Sequence, residues 1–247
     1  MAVIYGIHAV EEALKSRGRA FEYVLVASGR RDARIEQMVT ECRAAGVAVR
    51  FEPRIQLDRL AKTATHQGVV AVTGSKQYCD LDEVLAGRRG KHAFVVVLDG
   101  VEDPHNLGAI LRTADAAGAD GVLIPERRAA GVTATVAKAS AGASEHLRIA
   151  RIPNVARTLE DLKAQNLWIV GLDERAPASY DSVDYQMDCA LVLGSEGKGM
   201  HDLVRRKCDF LVSIPVLGEV PSLNVSVAAA VVMYELVRQR KKSDGGR

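Results

Sequence analysis

Three segments of this chain repeat one design: an apolar strand ends in a glycine- or proline-rich polar turn, and the turn feeds a helix. Residues 92–113 read as a strand (Ala93 to Leu98), a turn through Asp99, Gly100, Asp103 and Pro104, and a helix opened by Asn106. Residues 190–208 read as a strand (Ala190 to Gly194), the turn SEGKGM and a short helix to Cys208. In the third, an apolar run (Phe210 to Val216) meets a Pro/Gly loop, and Ser222, Leu223, Asn224 and Ser226 then lead into a small-residue helix, Val225 to Arg240. That helix carries almost no charge until Glu235, which predicts burial on nearly all sides. Continuous apolar strands alternating with helices predict a parallel sheet covered on both faces. In such sheets ligands bind beyond the carboxyl ends of the strands, where these three loops gather.

The same alternation organises the rest of the chain. Within the first 75 residues the predicted order is helix (Gly6 to Gly18), strand (Phe21 to Ala27), helix (Asp32 to Ala45), strand (Val47 to Phe51), helix (Ile55 to Thr63) and strand (Val69 to Thr73), a compact α/β module. Residues 76–91, polar and then charged with GRRGKH, suit a linker. Residues 92–247 form the second predicted domain. Besides the three segments above it contains a strand at Gly121 to Ile124, a helix around Ala134 to Ala143, a strand or turn at Arg148 to Ile152, a helix at Val155 to Gln165 and a strand at Leu167 to Leu172. The tail RQRKKSDGGR reads as an unstructured basic end.

With 48% apolar residues the chain is globular rather than disordered. The longest apolar stretch, around Val225 to Val232, stops at Glu235, so no membrane span is expected. The start, MAVIYGIHAVEEALKS, lacks the basic opening of a signal peptide. Cys42, Cys79, Cys189 and Cys208 are scattered without a C-x-x-C pair, which predicts free thiols in a reducing cytoplasm and no metal site. The net charge of +2 conceals an asymmetry: residues 1–75 carry 11 basic against 8 acidic groups, residues 238–247 carry 5 against 1, and the body between carries 17 against 22. A basic leading domain and tail fit contact with a phosphate backbone, although ordinary domains also reach such values.

No G-x-G-x-x-G follows a strand, Gly197–Lys198 lacks the Walker context, and neither H-E-x-x-H nor G-x-S-x-G occurs. Nicotinamide, triphosphate, zinc-protease and serine-hydrolase readings are therefore set aside. The stretches DPHNLGAILRTADAAGADGVLIP, LVLGSEGKGM and SIPVLGEVPSLNVSVAAA, in that order, resemble the three motifs of the SpoU/TrmH branch of the SPOUT RNA 2′-O-ribose methyltransferases. The resemblance spans about Phe94 to Met233. The leading domain, with GIHAVEEAL and THQGVVAV, resembles the small RNA-binding domain of RlmB-type enzymes, which methylate a guanosine of 23S ribosomal RNA.

The resemblance implies S-adenosylmethionine as methyl donor, a trefoil knot in the C-terminal backbone, a homodimer and ribosomal RNA, not DNA, as partner. The knot comes from the resemblance alone, since chains in general avoid threading. Cofactor contacts carry over to Gly194, Ile214, Leu217 and Leu223. Arg112 carries over as the catalytic arginine, either clamping the flanking phosphate or acting as base. Because arginine holds its proton in nearly all settings, the clamp is preferred, with phosphate or water taking the proton. Without the motif, Arg112 would read as an ion-pair partner of Asp115. Asn106 and Asn224 are expected to orient the hydroxyl or brace the loops, and both also suit helix capping. Glu196 is expected to fix its loop and Arg112, and Ser222 to contact substrate; an exposed turn acid and a cap are the plain alternatives. His105 beside Asn106 offers itself as a general base, but a lone histidine in a turn is more often solvated, which is the reading preferred. A tRNA methyltransferase of the same family and an inactive RNA-binding assembly factor are the competing functions.

Overall fold

The computed structural model describes residues 1–16, 18–30 and 32–243; the last four residues of the basic tail lie outside this range. In chain order the elements are β1 (Ala2–Tyr5), α1 (Ile7–Ser16), β2 (Phe21–Ala27), α2 (Ala33–Ala44), β3 (Ala48–Glu52), α3 (Arg54–Ala61), β4 (Val69–Thr73) and α4 (Leu81–Ala86). They continue with β5 (Phe94–Asp99), α5 (Pro104–Ala116), β6 (Gly121–Pro125), α6 (Ala134–Ala139), α7 (Ala143–His146), β7 (Arg148–Ile152) and α8 (Val155–Ala164). The last are β8 (Trp168–Leu172), β9 (Ala178–Ser179), β10 (Cys189–Gly194), α9 (Asp202–Lys207), β11 (Phe210–Ser213) and α10 (Val225–Ser243). None of these helices is long and apolar enough to cross a membrane.

One compact unit comprises residues 1–77 with 131–146. Its four strands run in the order β1-β4-β2-β3, with β2 and β3 parallel and the other pairs antiparallel. Val24 and Val26 of β2 meet Ile35, Met38 and Val39 of α2 in the core, and Ala137 of α6 joins them. The grouping of 131–146 with this unit departs from the expected boundary. Sequence spacing places that stretch between β6 and β7, but α6 packs on β1 and α7 on α1. The buried Arg19 fixes it, its Nε and Nη2 donating to the buried Glu145 carboxylate at 2.8 and 2.9 Å. The single helix predicted at 134–143 divides at Ala141 and Gly142, both left-handed with φ of 50° and 87°. The short β1 was also missed, because four residues running straight into α1 give no period to read.

The second unit comprises residues 78–130 and 147–247. Its sheet has seven strands in the order β7-β6-β5-β10-β8-β11-β9, and every pair is parallel. The central strands β5 and β10 are buried along their whole lengths, as continuous apolar runs require. On one face Val84 of α4, Leu159 and Leu162 of α8 and Val204 of α9 pack on Val95, Val97, Ile169 and Val192. On the other face α5 packs beside α10, with α5 against β6 and α10 against β10.

Three expectations are corrected here. Residues 76–91 are not plain linker, since Asp80 caps α4 through Glu83 N at 2.9 Å and α4 packs on β7. The tail is helical to Ser243, and Arg240 is anchored within the fold. Helix α10 is not buried all round: Ala229, Val232, Met233 and Leu236 face the core, while Val227 and Tyr234 are each 51% exposed. An almost chargeless helix looks the same in sequence whether its second face is covered by its own chain or left open.

Candidate active site

The loops after β5, β10 and β11 meet at the carboxyl edge of the second unit's sheet. After β5, Gly100 takes φ of 86°, and a Cβ there would stand 3.3 Å from the Ser195 Cβ, so the first two loops touch closely. Asp103, not Asn106, caps α5, accepting from His105 N at 2.8 Å with Pro104 in the first turn. This frees the buried side chain of Asn106 to point out of the helix start.

After β10, Ser195 and Gly199 exchange backbone hydrogen bonds at 3.0 Å in both directions, closing a tight turn around Glu196. Gly197 and Gly199 both have positive φ, which residues with a side chain adopt only at a cost. A Cβ on Gly194 would lie 2.2 Å from the Gly199 carbonyl carbon. The glycine is thus demanded first by the chain's own turn, whereas the sequence reading assigned that closeness to a ligand.

After β11, Asn224 opens α10. Its Oδ1 accepts from Ser226 N at 2.9 Å and from Ser226 Oγ at 2.6 Å, which is capping. Its Nδ2 donates to Asn106 Oδ1 at 3.0 Å and to Glu196 Oε1 at 2.9 Å, so the bracing role coexists with the cap. Asn106 Nδ2 donates to the same Glu196 oxygen in a short contact. Residues separated by 90 and 118 positions are thereby joined in one network.

The Ser195–Gly199 turn forms a wall shared by two crevices. The first, of about 540 Å³, is lined by Gly194, Ile214, Ser222, Leu223 and Asn224, together with Asp173 to Arg175 from the loop after β8. The second, of about 830 Å³, is lined by Asn106, Glu196, Lys198, His201 and Arg128. Ser222 is exposed and has no hydrogen-bond partner among the described residues. Arg112 is exposed, lines neither crevice and has no polar partner among the described residues. The ion pair with Asp115 is absent, because Asp115 binds Arg89 Nη1 at 3.1 Å instead. Leu217 is 99% exposed and stands outside the crevice lining, so the contact expected of it is not made by this loop conformation. His105 is exposed, as expected.

Two polar groups escaped the sequence reading. The buried Asp99 at the end of β5 accepts from His201 N at 2.7 Å and contacts His201 Nδ1 at 2.9 Å, tying the first loop to the second. Asp173 is buried at the end of β8 and is held by Arg175 Nε and Nη2 at 3.0 Å and by Arg205 at 2.7 Å. Those hydrogen bonds from Arg175 hold its carboxyl below the usual aspartate range. Applying the carboxyl-end rule to β8 as well as to the other three strands would have found it.

The profile of the SpoU rRNA methylase family matches residues 93–234, and that of the RNA 2′-O ribose methyltransferase substrate-binding family matches residues 3–79. YacO of Bacillus subtilis, named for the TrmH family of tRNA/rRNA methyltransferases, is 46% identical over 239 residues, covering 96% of this chain and 95% of that protein. A relative from Staphylococcus aureus, named for the same family, is 44% identical over 240 residues and 96% of each chain. Among solved structures, the SpoU methyltransferase AviRb of Streptomyces viridochromogenes in complex with its cofactor AdoMet superposes with a TM-score of 0.81 at 26% identity. That match covers 97% of this chain and 90% of that one. An RNA 2′-O ribose methyltransferase matches with a TM-score of 0.78 at 30% identity, over 96% and 88% of the two chains.

The first crevice fits S-adenosylmethionine, the cofactor of this family: Ile214 and Leu223 offer an apolar slot, and the Glu174 carboxylate in the lining is compatible with a cationic ligand. With both profiles matched in sequence order and the sheet and crevice in place, the chain belongs to the SpoU/TrmH family of RNA methyltransferases.

Proposed function

We propose that the chain methylates the ribose 2′-hydroxyl of a guanosine in 23S ribosomal RNA. The supporting observation is the Asn106–Glu196–Asn224 network on the wall between two crevices; in this reading the first takes the donor and the second the acceptor nucleoside. S-adenosylmethionine, when bound, supplies a methyl group already activated by its cationic sulfur. The protein's part is then to place a weakly acidic alcohol in line with that group and to let its proton leave. In this reading Glu196 keeps both amides turned toward the wall, and Ser222 offers its unpartnered hydroxyl to the incoming sugar. Arg112 clamps the phosphate next to the reacting ribose, a role suited to an exposed guanidinium without a partner of its own. Phosphate or water takes the proton. Gly194, Ile214 and Leu223 line the donor crevice, and Leu217 joins them once its loop is covered.

The same reading includes a homodimer, the knotted threading of the C-terminal backbone and a cytoplasmic setting. The second copy covers the apolar face of α10 at Val227 and Tyr234 and the exposed Leu217 and Val220. Purified protein, tritiated S-adenosylmethionine and unmodified 23S rRNA should yield an alkali-resistant 2′-O-methyl nucleotide. Transfer to tRNA in place of 23S rRNA would overturn the substrate assignment. Arg112→Ala should keep cofactor affinity and lose transfer on the order of a hundredfold; lost cofactor affinity would make Arg112 a structural residue.

A further inference from the structure

A crevice of about 500 Å³ opens in the first unit at the carboxyl ends of the parallel strands β2 and β3. One wall is the ring of Phe51, 52% exposed on the edge strand β3. Val47, just before that strand, and Val49 on it pack against the core that includes α2, and Phe51 continues their alternation where it is left exposed. The floor is the Ser28–Gly29 turn. Gly29 has φ of 81°, and a Cβ there would meet nothing within 4 Å, so the backbone lies bare toward the crevice.

Two guanidiniums stand at the rim. Arg30 is held in place by Asp32 at 3.0 Å and by the Gln67 carbonyl. Arg43, in the last turn of α2, is exposed and has no side-chain partner among the described residues. Glu36 is the acidic group in the lining. An uncovered aromatic face with two arginines in the same lining matches what an unstacked base and its flanking phosphates require. It suits a duplex poorly, because paired bases present no open face to a ring set in a crevice.

We propose that this crevice is a docking site for one unpaired nucleotide of the RNA substrate, with the base on Phe51 and the adjoining phosphates on Arg43 and Arg30. The site rests on the reading of the chain as an RNA methyltransferase and names the single-stranded character of the RNA that its leading unit holds.

The test uses the full chain and a short fluorescein-labelled single-stranded oligoribonucleotide, with an RNA duplex of equal length for comparison. Phe51→Ala should weaken binding of the single strand about tenfold. Phe51→Trp should retain it, which separates stacking from loss of fold. Arg43→Gln should lower the dependence of log affinity on log salt by about 0.7, the share of one phosphate contact on a single strand. Unchanged affinity in Phe51→Ala, or tighter binding of the duplex than of the single strand by the natural chain, would overturn the site. A shift in oligomeric state on Phe51→Ala with RNA affinity intact would assign the ring to a protein contact and also overturn it. Methyl transfer to 23S rRNA is measured on the same samples. Transfer by the natural chain with an indifferent Phe51→Ala sinks the docking site alone, whereas no transfer to any RNA sinks the parent reading as well.

Discussion

Asn224 does two jobs that substitution can separate. Its carbonyl oxygen caps α10 through Ser226 N, and its amide donates to Glu196 and Asn106. Asn224→Ala removes both. A lost N-cap costs about 1 kcal/mol. The donated bonds add about 1 kcal/mol more, the smaller end of their range because Glu196 is exposed to water. Roughly 2 kcal/mol lowers Tm by about 4–8 °C in a unit of this size. Asn224→Ser should recover the capping half, because serine caps as well as asparagine does. It has no amide, however, and Glu196 would lose its second donor, so methyl transfer should stay as low as in the alanine variant. Asn224→Asp keeps a capping acceptor but sets a second carboxylate against Glu196, and should transfer least of the three at neutral pH. Thermal melting followed by circular dichroism, with single-turnover transfer from tritiated donor, reads both quantities. If the serine variant recovered transfer together with melting temperature, capping would be the whole role of Asn224 and the network would be incidental.

Arg240 donates to the backbone carbonyls of Tyr185, Met187, His92 and Ala93 at 2.7 to 3.0 Å, pinning α10 to the amino ends of β5 and β10. Arg240→Ala should cost about 3 kcal/mol, or about 6–12 °C in Tm; a urea titration giving less than about 1 kcal/mol would show that water replaces the guanidinium at little cost. Asp173 has its carboxyl pKa depressed by Arg175, so its contribution is fully present above the unfolded value of about 3.9 and fades as pH falls through the folded one. Asp173→Asn should therefore be less stable than the natural chain at neutral pH, and the two melting temperatures should converge below about pH 4. Parallel curves across that range would refute the assignment.

The strands were legible because β5 and β10, buried on both faces, admit only apolar residues, and such runs leave a helix few competing patterns. The caps were legible in part. Asp103 and Pro104 stand one turn ahead of the position that the motif drew attention to, and only the backbone geometry assigns the cap to Asp103. Other features had no local signal. Residues 131–146 are bound to the first unit through the Arg19–Glu145 pair, whose members are 126 positions apart and look like ordinary surface charges in sequence. The ion pair with Asp115, which spacing on α5 offers as the plain alternative for Arg112, is not formed, because Arg89 from outside the helix takes Asp115. The nearness of Asn106, Glu196 and Asn224 followed from the motif resemblance, since no periodicity links residues so far apart.

The strand order explains why this site is built beneath a long loop. β11 lies three places from β5, with β8 and β10 between them, so its carboxyl end is roughly 14 Å from that of β5 at the usual spacing. Yet Asn224, which follows β11, bonds to Asn106 at the start of the helix after β5. α10 also packs beside α5 and against β10. Residues 214–224 must therefore travel back across the ends of β8 and β10, a distance well within their extended reach of about 3.3 Å per residue. A loop spent on that crossing cannot bury its own side chains, which accounts for the exposure of Leu217 and Val220. It also encloses the space above the ends of β8 and β10, where Asp173, Gly194 and Ile214 line the first crevice. The asparagine that caps α10 is thus the point at which the returning chain is tied down, and any change that frees it should loosen the roof of the crevice before it disturbs the sheet.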